Sequence, residues 1–351
     1  MADKLRCAVV GAGGIGVHHL HSFATCHRAS AVALAEIHPQ RAREAAARYN
    51  IPRSYADYHE LLDQPDIDAV SIALPNHLHA QVAIEALKAR KHVLVEKPMA
   101  LSAKEAAKVI EVARNMKRVL MVGQDFRFNR HTQMAKAILE RGDLGDVYHA
   151  RCFWIRRAGI PRIGSWFTQK KFSGGGCMAD LGVHLLDTGL HLLKEFDVVS
   201  VSAQTYAKFG PRGLGEMDWG KSDVDPKRPF DVEDYAVALI RLKSGRALTL
   251  EVGWACFQNS ETREHGIDLL GANGGLSLYP LKLYRNTLEG HEVMQFHSTK
   301  VPYPEDRIHH FVNSVLDGKK LLVSPEESLV SQKVLDAIYA SAQSGKEIRL
   351  T

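Results

Sequence analysis

Apolar positions in the first third of the chain fall in short runs separated by longer amphipathic stretches. LRCAVV, AVALAE, DAVSIAL, KHVLVE and RVLMVG are compact, rich in β-branched residues and apolar almost throughout. Such runs predict parallel strands buried on both faces. The intervening PQRAREAAARY, HAQVAIEALKAR and SAKEAAKVIEVARNM carry apolar residues every three or four positions, the period of a helix with one buried face. Pro39 and Ser102 mark helix starts. Strand and helix alternating over residues 1–124 predict a doubly wound α/β unit with a parallel sheet.

The rhythm changes after Gly123. A helix over Arg130–Arg141 leads into VYHARCFWIRR, and further strands read at VVSVSAQTYA, DYAVALIRL, RALTLEVGWACF, HGIDLLGANG and LSLYP. Alternation along these segments, with turns at Lys243-Ser244-Gly245 and Asn273-Gly274-Gly275, predicts a large open, mainly antiparallel sheet. Residues 125–351 therefore form a second, α+β domain, whose other sheet face must meet solvent or another subunit. Gly210–Pro229 reads as a long loop, and the final amphipathic helix stops at Gly345.

Composition narrows the class. The chain has 351 residues, 45% of them hydrophobic, enough for two cores. Its 45 basic residues against 40 acidic give a net charge of +5 without a basic stripe, which argues against nucleic acid as a partner. No apolar run has the roughly 20 residues a membrane span needs, and the first residues have no secretory pattern. Cys7, Cys26, Cys152, Cys177 and Cys256 are odd in number and lack CxxC spacing, so reduced thiols in a cytoplasmic protein are expected.

Gly11-Ala12-Gly13-Gly14-Ile15-Gly16 follows the first strand and opens a helix. This G-x-G-x-x-G spacing suits a dinucleotide pyrophosphate: Gly11 for the tight turn, Gly13 and Gly14 for close backbone approach with Ile15 beside them, Gly16 for helix–strand packing. Glu36, 20 residues beyond Gly16 at the end of the second strand, can accept hydrogen bonds from the adenosine ribose and favours NAD over NADP. NADP stays possible through Arg41 or Arg43. The next ligand-facing strand ends carry Pro75, Asn76 and His79, then Glu96-Lys97-Pro98.

These segments, with Gly174-Gly175-Gly176 and Asp180-x-x-x-His184 further on, resemble in order and spacing the glucose–fructose oxidoreductase, inositol dehydrogenase and rhizopine-catabolism superfamily across nearly the whole chain. The resemblance implies bound NAD(P), a pocket between two domains, and a homo-dimer or homo-tetramer formed through the C-terminal sheet. It also assigns Lys97 to contact with the reacting hydroxyl, Asp180 and His184 to a substrate-side acid/base pair, and Arg127 to a place near the cofactor. Chemistry agrees on the residue types. Removing hydride from a carbinol carbon requires a base for its hydroxyl proton, a task suited to the His184 imidazole. Lys97 is better suited to donate to the developing alkoxide, and Asp180 to orient the imidazole, hold a substrate hydroxyl, or both.

Asp180, His184, Asp187 and His191 recur on one predicted helix face; the stripe is expected to enter a pocket and to hold no metal. Arg162 and Trp166 are candidates for gripping a sugar or polyol. The expected activity is hydride transfer between NAD(P) and a hydroxyl or carbonyl carbon of a sugar, glycoside, anhydrosugar or cyclitol. The alternatives are redox-neutral NAD-dependent glycoside cleavage and a non-enzymatic cofactor-sensing binding protein.

Overall fold

In the computed structural model, residues 4–217, 223–259, 263–297 and 305–350 are described. Six strands, β1 (Leu5–Val10), β2 (Ala29–Ala35), β3 (Arg53–Tyr55), β4 (Ala69–Ile72), β5 (His92–Val95) and β6 (Leu120–Val122), form a parallel sheet in the order β3-β2-β1-β4-β5-β6. Val9, Val70, Ile72 and Leu94 are fully buried, as strands covered on both faces require. Helices α1 (Gly14–Thr25), α2 (Pro39–Tyr49), α3 (Tyr58–Leu62), α4 (Asn76–Lys88) and α5 (Ala103–Met116) complete the unit. Pro39 opens α2, and the Ser102 hydroxyl caps α5 by accepting from the Glu105 N–H. The strand order reverses between β1 and β4, which opens a crevice at their carboxyl ends.

The second sheet has nine strands: β7 (Val147–Ile155), β9 (Val198–Tyr206), β11 (Tyr235–Leu242), β12 (Ala247–Gly253), β13 (His265–Gly271), β14 (Gly275–Leu278), β15 (Lys282–Thr287), β16 (Gly290–Gln295) and β17 (Ile348–Arg349). All pairs are antiparallel except the central β7–β12 pair, which is parallel. The β15–β16 hairpin has no counterpart in the sequence reading, because every residue of β16 is exposed and no apolar alternation marks it. Two short strands, β8 (Ile160–Pro161) and β10 (Glu216–Met217), pair separately and pin the start of the long Gly210–Pro229 segment. Residues 218–222 of that segment lie outside the described residues.

Helices α6 (Arg130–Glu140), α7 (Lys170–Ser173), α8 (Val183–Leu193), α9 (Arg307–Asp317) and α10 (Pro325–Ser344) follow in the second half. Helix α8 lies directly on the sheet. A Cβ at Gly189 would stand 2.6 Å from the Leu248 side chain and 2.9 Å from the Cys152 sulfur, so the missing side chain sets the approach. Helix α9 crosses back to the first unit and buries Ile308, Phe311 and Val312 in the core of the parallel sheet. Helix α10 ends at Gly345, which takes the left-handed conformation (φ 67°). Among the described residues, no helix is long and apolar enough to cross a membrane.

Candidate active site between the two domains

At the crevice the glycines divide by function. Gly11 has φ 94°, and a Cβ there would lie 2.4 Å from the Ala73 carbonyl oxygen; a Cβ at Gly16 would lie 1.8 Å from that of Gly11. Both positions demand glycine. At Gly13 and Gly14 a side chain would meet nothing within 4 Å, and α1 begins with no side-chain cap on its amides. An open cradle of uncapped N–H groups at a helix N-terminus fits a pyrophosphate. Ile15 is 48% exposed at its rim. Glu36 accepts from the Ala12 N–H at 2.8 Å and, on its other oxygen, from the His38 N–H at 2.9 Å and Arg41 at 3.0 Å. It thereby fastens the glycine loop, and its remaining lone pairs can receive ribose hydroxyls. Arg41 is held by Glu36, with Asp223 3.9 Å away.

Across the crevice, the turn after β5 brings Lys97 against the loop that precedes α8. Its ammonium donates to the Asp180 carbonyl at 2.8 Å and to Asp180 Oδ1 at 3.2 Å. The second carboxylate oxygen, Oδ2, accepts from the indole N–H of Trp254 at 2.9 Å. Burial works against charge on Asp180, but Lys97 and the Trp254 N–H outweigh it and hold the carboxyl below its usual range. Asp180 is therefore an ionised anchor, and one of the three Lys97 donors is left for a substrate oxygen. Asp180 lies in a π-type turn, Met178–Gly182, and α8 itself starts at Val183, so the regular helix expected through Asp180 is widened by one residue.

His184 stands in the first turn of α8. Phe126 lies against its ring with centroids 4.8 Å apart and planes at 21°, and Trp154 stacks on Phe126 at 5.7 Å. The Arg156 guanidinium sits 4.7 Å above the Trp154 ring and is electrostatically coupled to Asp180, while burial lowers its proton affinity. Asp125 approaches His184 Nδ1 at 3.3 Å. Of these residues, Asp125 and Phe126 carried a legible signal, since they follow the last parallel strand at its carboxyl end. Trp154 on β7, Arg156 just after it and Trp254 just after β12 belong to the second sheet and had none.

Three residues expected to touch the cofactor have their polar atoms engaged elsewhere. Glu96, 6% exposed, pairs with His19 at 2.9 Å and with Arg307 of α9 at 2.9 Å, and so ties three elements together. Burial disfavours its charge, but Arg307 and His19 more than offset this and push the carboxyl far below the usual value. Each ring nitrogen of buried His79 faces a carbonyl oxygen, Pro98 O at 2.7 Å and Leu74 O at 2.8 Å, which joins the turns after β4 and β5. Arg127 is fully buried in a two-pronged pair with Asp187, 2.7 Å at each contact, and also donates to Leu322 O and Glu327. It is a structural cation between α8 and the segment entering α10.

Pro75 precedes α4, and Asn76, its first residue, donates to Ser173 O across the crevice at 2.8 Å. Arg162 and Trp166 belong to the loop after β8, where Trp166 stacks on Phe167 at 3.8 Å and Gly164 packs on Asp225. The groups gathered around Asp180 and His184 are instead Trp254, Phe126, Trp154 and Arg156. The polar stripe through the π-type turn and α8 thus runs along the seam of the domains, with Asp180 on Lys97, His184 beside Asp125 and Asp187 on Arg127. His191 is buried behind them.

The glycine run before the site has a packing cause. A Cβ at Gly175 would lie 1.8 Å from the Tyr339 hydroxyl, and one at Gly176 1.9 Å from Glu233 O. The chain passes this tightly because buried Glu233 accepts from the N–H groups of Gly176 and Met178 at 2.9 Å and from Tyr339 at 3.0 Å. Burial raises the Glu233 carboxyl despite these donors.

Two outcomes follow from these networks. Glu96 titrates below the ordinary glutamate value of 4.5, so its charge stabilises the folded state above that pH and the contribution fades as pH falls further. Glu96→Gln should cost about 3 kcal/mol in urea unfolding at pH 7, with the deficit narrowing below pH 4.5. Asp187→Ala, which strands the Arg127 charge, should cost about 3–5 kcal/mol. NAD affinity of the folded fraction, measured by fluorescence titration, should stay unchanged, because Arg127 does not reach the crevice.

The sequence profile of an oxidoreductase family with an NAD-binding Rossmann fold matches residues 5–124, and that of the GFO/IDH/MocA C-terminal domain matches residues 132–277. The D-glucoside 3-dehydrogenase of Escherichia coli is 28% identical, over 99% of this chain and 98% of its own. The levoglucosan dehydrogenase of Pseudarthrobacter phenanthrenivorans is 31% identical, over 71% and 67%. Among solved structures, a levoglucosan dehydrogenase in complex with NADH superposes with a TM-score of 0.86 at 23% identity, covering 99% of this chain and all of the other. Matching profiles over both domains, on a fold whose crevice fits a dinucleotide, identify the chain as a member of the GFO/IDH/MocA family of NAD-dependent oxidoreductases.

Proposed function

We propose that this protein oxidises, or in reverse reduces, a secondary hydroxyl carbon of a sugar, glycoside, anhydrosugar or cyclitol, with Lys97, Asp180 and His184 as its reacting centre. The observation that carries the reading is the state of Lys97: two of its donors are held by ionised Asp180 and the third is free for the reacting oxygen. NAD bound in the crevice supplies the hydride acceptor. His184 takes the hydroxyl proton as the C–H bond is broken. Lys97 donates to the oxygen as negative charge develops there, where a fixed cation is worth most. Asp180 keeps the ammonium in place. The carbohydrate class is supported by the relatives' names, glucoside and levoglucosan dehydrogenases.

The test is a turnover screen of inositols, aldoses, glycosides and anhydrosugars with NAD and NADP separately. Wild type should reduce NAD with at least one of them and NADP poorly, because Glu36 holds Arg41. Lys97→Met and His184→Ala should each lose on the order of 100-fold or more in kcat. Normal turnover in either variant would overturn the roles.

A homo-oligomer formed through the open sheet belongs to the same reading. Ala236, Ala238 and Ile240 of β11 face the helices, while Tyr235, Val237 and Leu239 alternate onto the uncovered face with Tyr206 beside them. Light scattering should give a dimer or tetramer, and Val237→Lys with Leu239→Lys should give a monomer. The unpaired cysteines support a cytoplasmic setting.

A further inference from the structure

We propose that Asp125 is the positioning carboxylate of His184: it selects the tautomer with the proton on Nδ1 and so presents the Nε2 lone pair to the substrate. This rests on the reading of His184 as proton acceptor. Two carboxylates neighbour the imidazole. Asp180 has Oδ1 on Lys97 and Oδ2 on Trp254, and among the described residues neither oxygen hydrogen-bonds the His184 ring. Asp125 approaches from the other domain, with Oδ1 3.3 Å from His184 Nδ1. Neither atom has a hydrogen-bond partner among the described residues, and both are shielded from water.

The rest of the Asp125 side chain reaches solvent, which leaves it 46% exposed; burial of its inner edge works against charge, but His184 and Arg307 outweigh it and hold the carboxyl below its usual range. Phe126, the next residue, lies flat on the imidazole and limits it to rotation in its own plane. The contact is a small rotation short of hydrogen-bond geometry, and a carboxylate beside Nδ1 favours the proton on that nitrogen by its charge before any substrate binds. A base oriented by a buried-edge carboxylate is the arrangement by which an acid orients a catalytic histidine elsewhere.

Charged and titratable groups reach the pair from every side. Asp180, itself paired with Lys97, acts on His184 from the preceding turn, and Glu96 and Arg307 act on Asp125 from the turn after β5 and from α9. The Tyr279 phenol faces Asp125 from the second sheet, and burial raises its proton affinity. Asp125 is the member of this set placed on Nδ1.

The test uses the full NAD-loaded protein with 15N-labelled histidine, the His184 signal being assigned by His184→Gln. Wild type should show the neutral ring protonated on Nδ1, and Asp125→Asn should show a mixture of tautomers at unchanged thermal midpoint. In turnover, Asp125→Asn should lower kcat on the order of 100-fold with KM little changed. The acid limb of log kcat/KM should move to lower pH, because a negative charge beside the base has been removed; a merely structural residue would leave that limb in place. An unaltered tautomer and an unmoved limb in Asp125→Asn would overturn the proposal. The spectra need no substrate, so a wild type that turns over no carbohydrate sinks the substrate class while the tautomer result still decides the role of Asp125.

Discussion

The contact between Lys97 and Asp180 joins the two domains at the crevice where the glycine loop and the candidate reacting residues meet. One partner sits in the turn after β5 of the parallel sheet, and the other in the widened turn before α8. Taking an ammonium and a carboxylate out of water is costly, and the pair is tolerable only because further bonds complete it. The Lys97 ammonium also reaches the Asp180 backbone carbonyl, and Trp254 takes the other carboxylate oxygen. A site built this way is held from both domains, so its geometry depends on their packing.

That packing has its own supports, and they are again polar and buried. Glu96 follows β5 immediately before Lys97 and binds His19 of α1 and Arg307 of α9. The turn that carries Lys97 is thus braced by a helix contributed from near the end of the chain. Arg127 and Asp187 make a second strut along the seam, one helical interval beyond His184. Glu233 and Tyr339 hold the glycine run on the far side. Residues that a motif search places in the site therefore do two kinds of work: Lys97, Asp180 and His184 face the crevice, while Glu96, His79 and Arg127 keep its walls in place.

Much of the architecture is legible from local pattern. The buried strands of the first unit announce themselves by continuous apolar runs, and Ser102 and Gly345 by the capping chemistry helix ends require. Where the pattern is weak the reading stops: β16 is exposed on both faces and has no apolar period, and the π-type turn at Asp180 does not alter residue spacing in a way periodicity can register. Within the site, a glycine with a steric duty, such as Gly16, and one with open space around it, such as Gly13, look the same as letters.

The sequence by itself determined the α/β architecture with two sheets and the cofactor class, because apolar runs and the glycine spacing after the first strand are local signals, and it nominated Lys97, Asp180 and His184 through the order and spacing of family-like motifs. Which way the neighbouring side chains face was decided only by the tertiary structure. Arg127 and Asp125 lie two residues apart on one short turn, yet one is buried against Asp187 and the other borders the His184 ring. Their partners are on α8, some sixty residues away. A buried charge takes the position where opposite charge and hydrogen bonds offset its lost hydration, and that position exists only once both domains have packed.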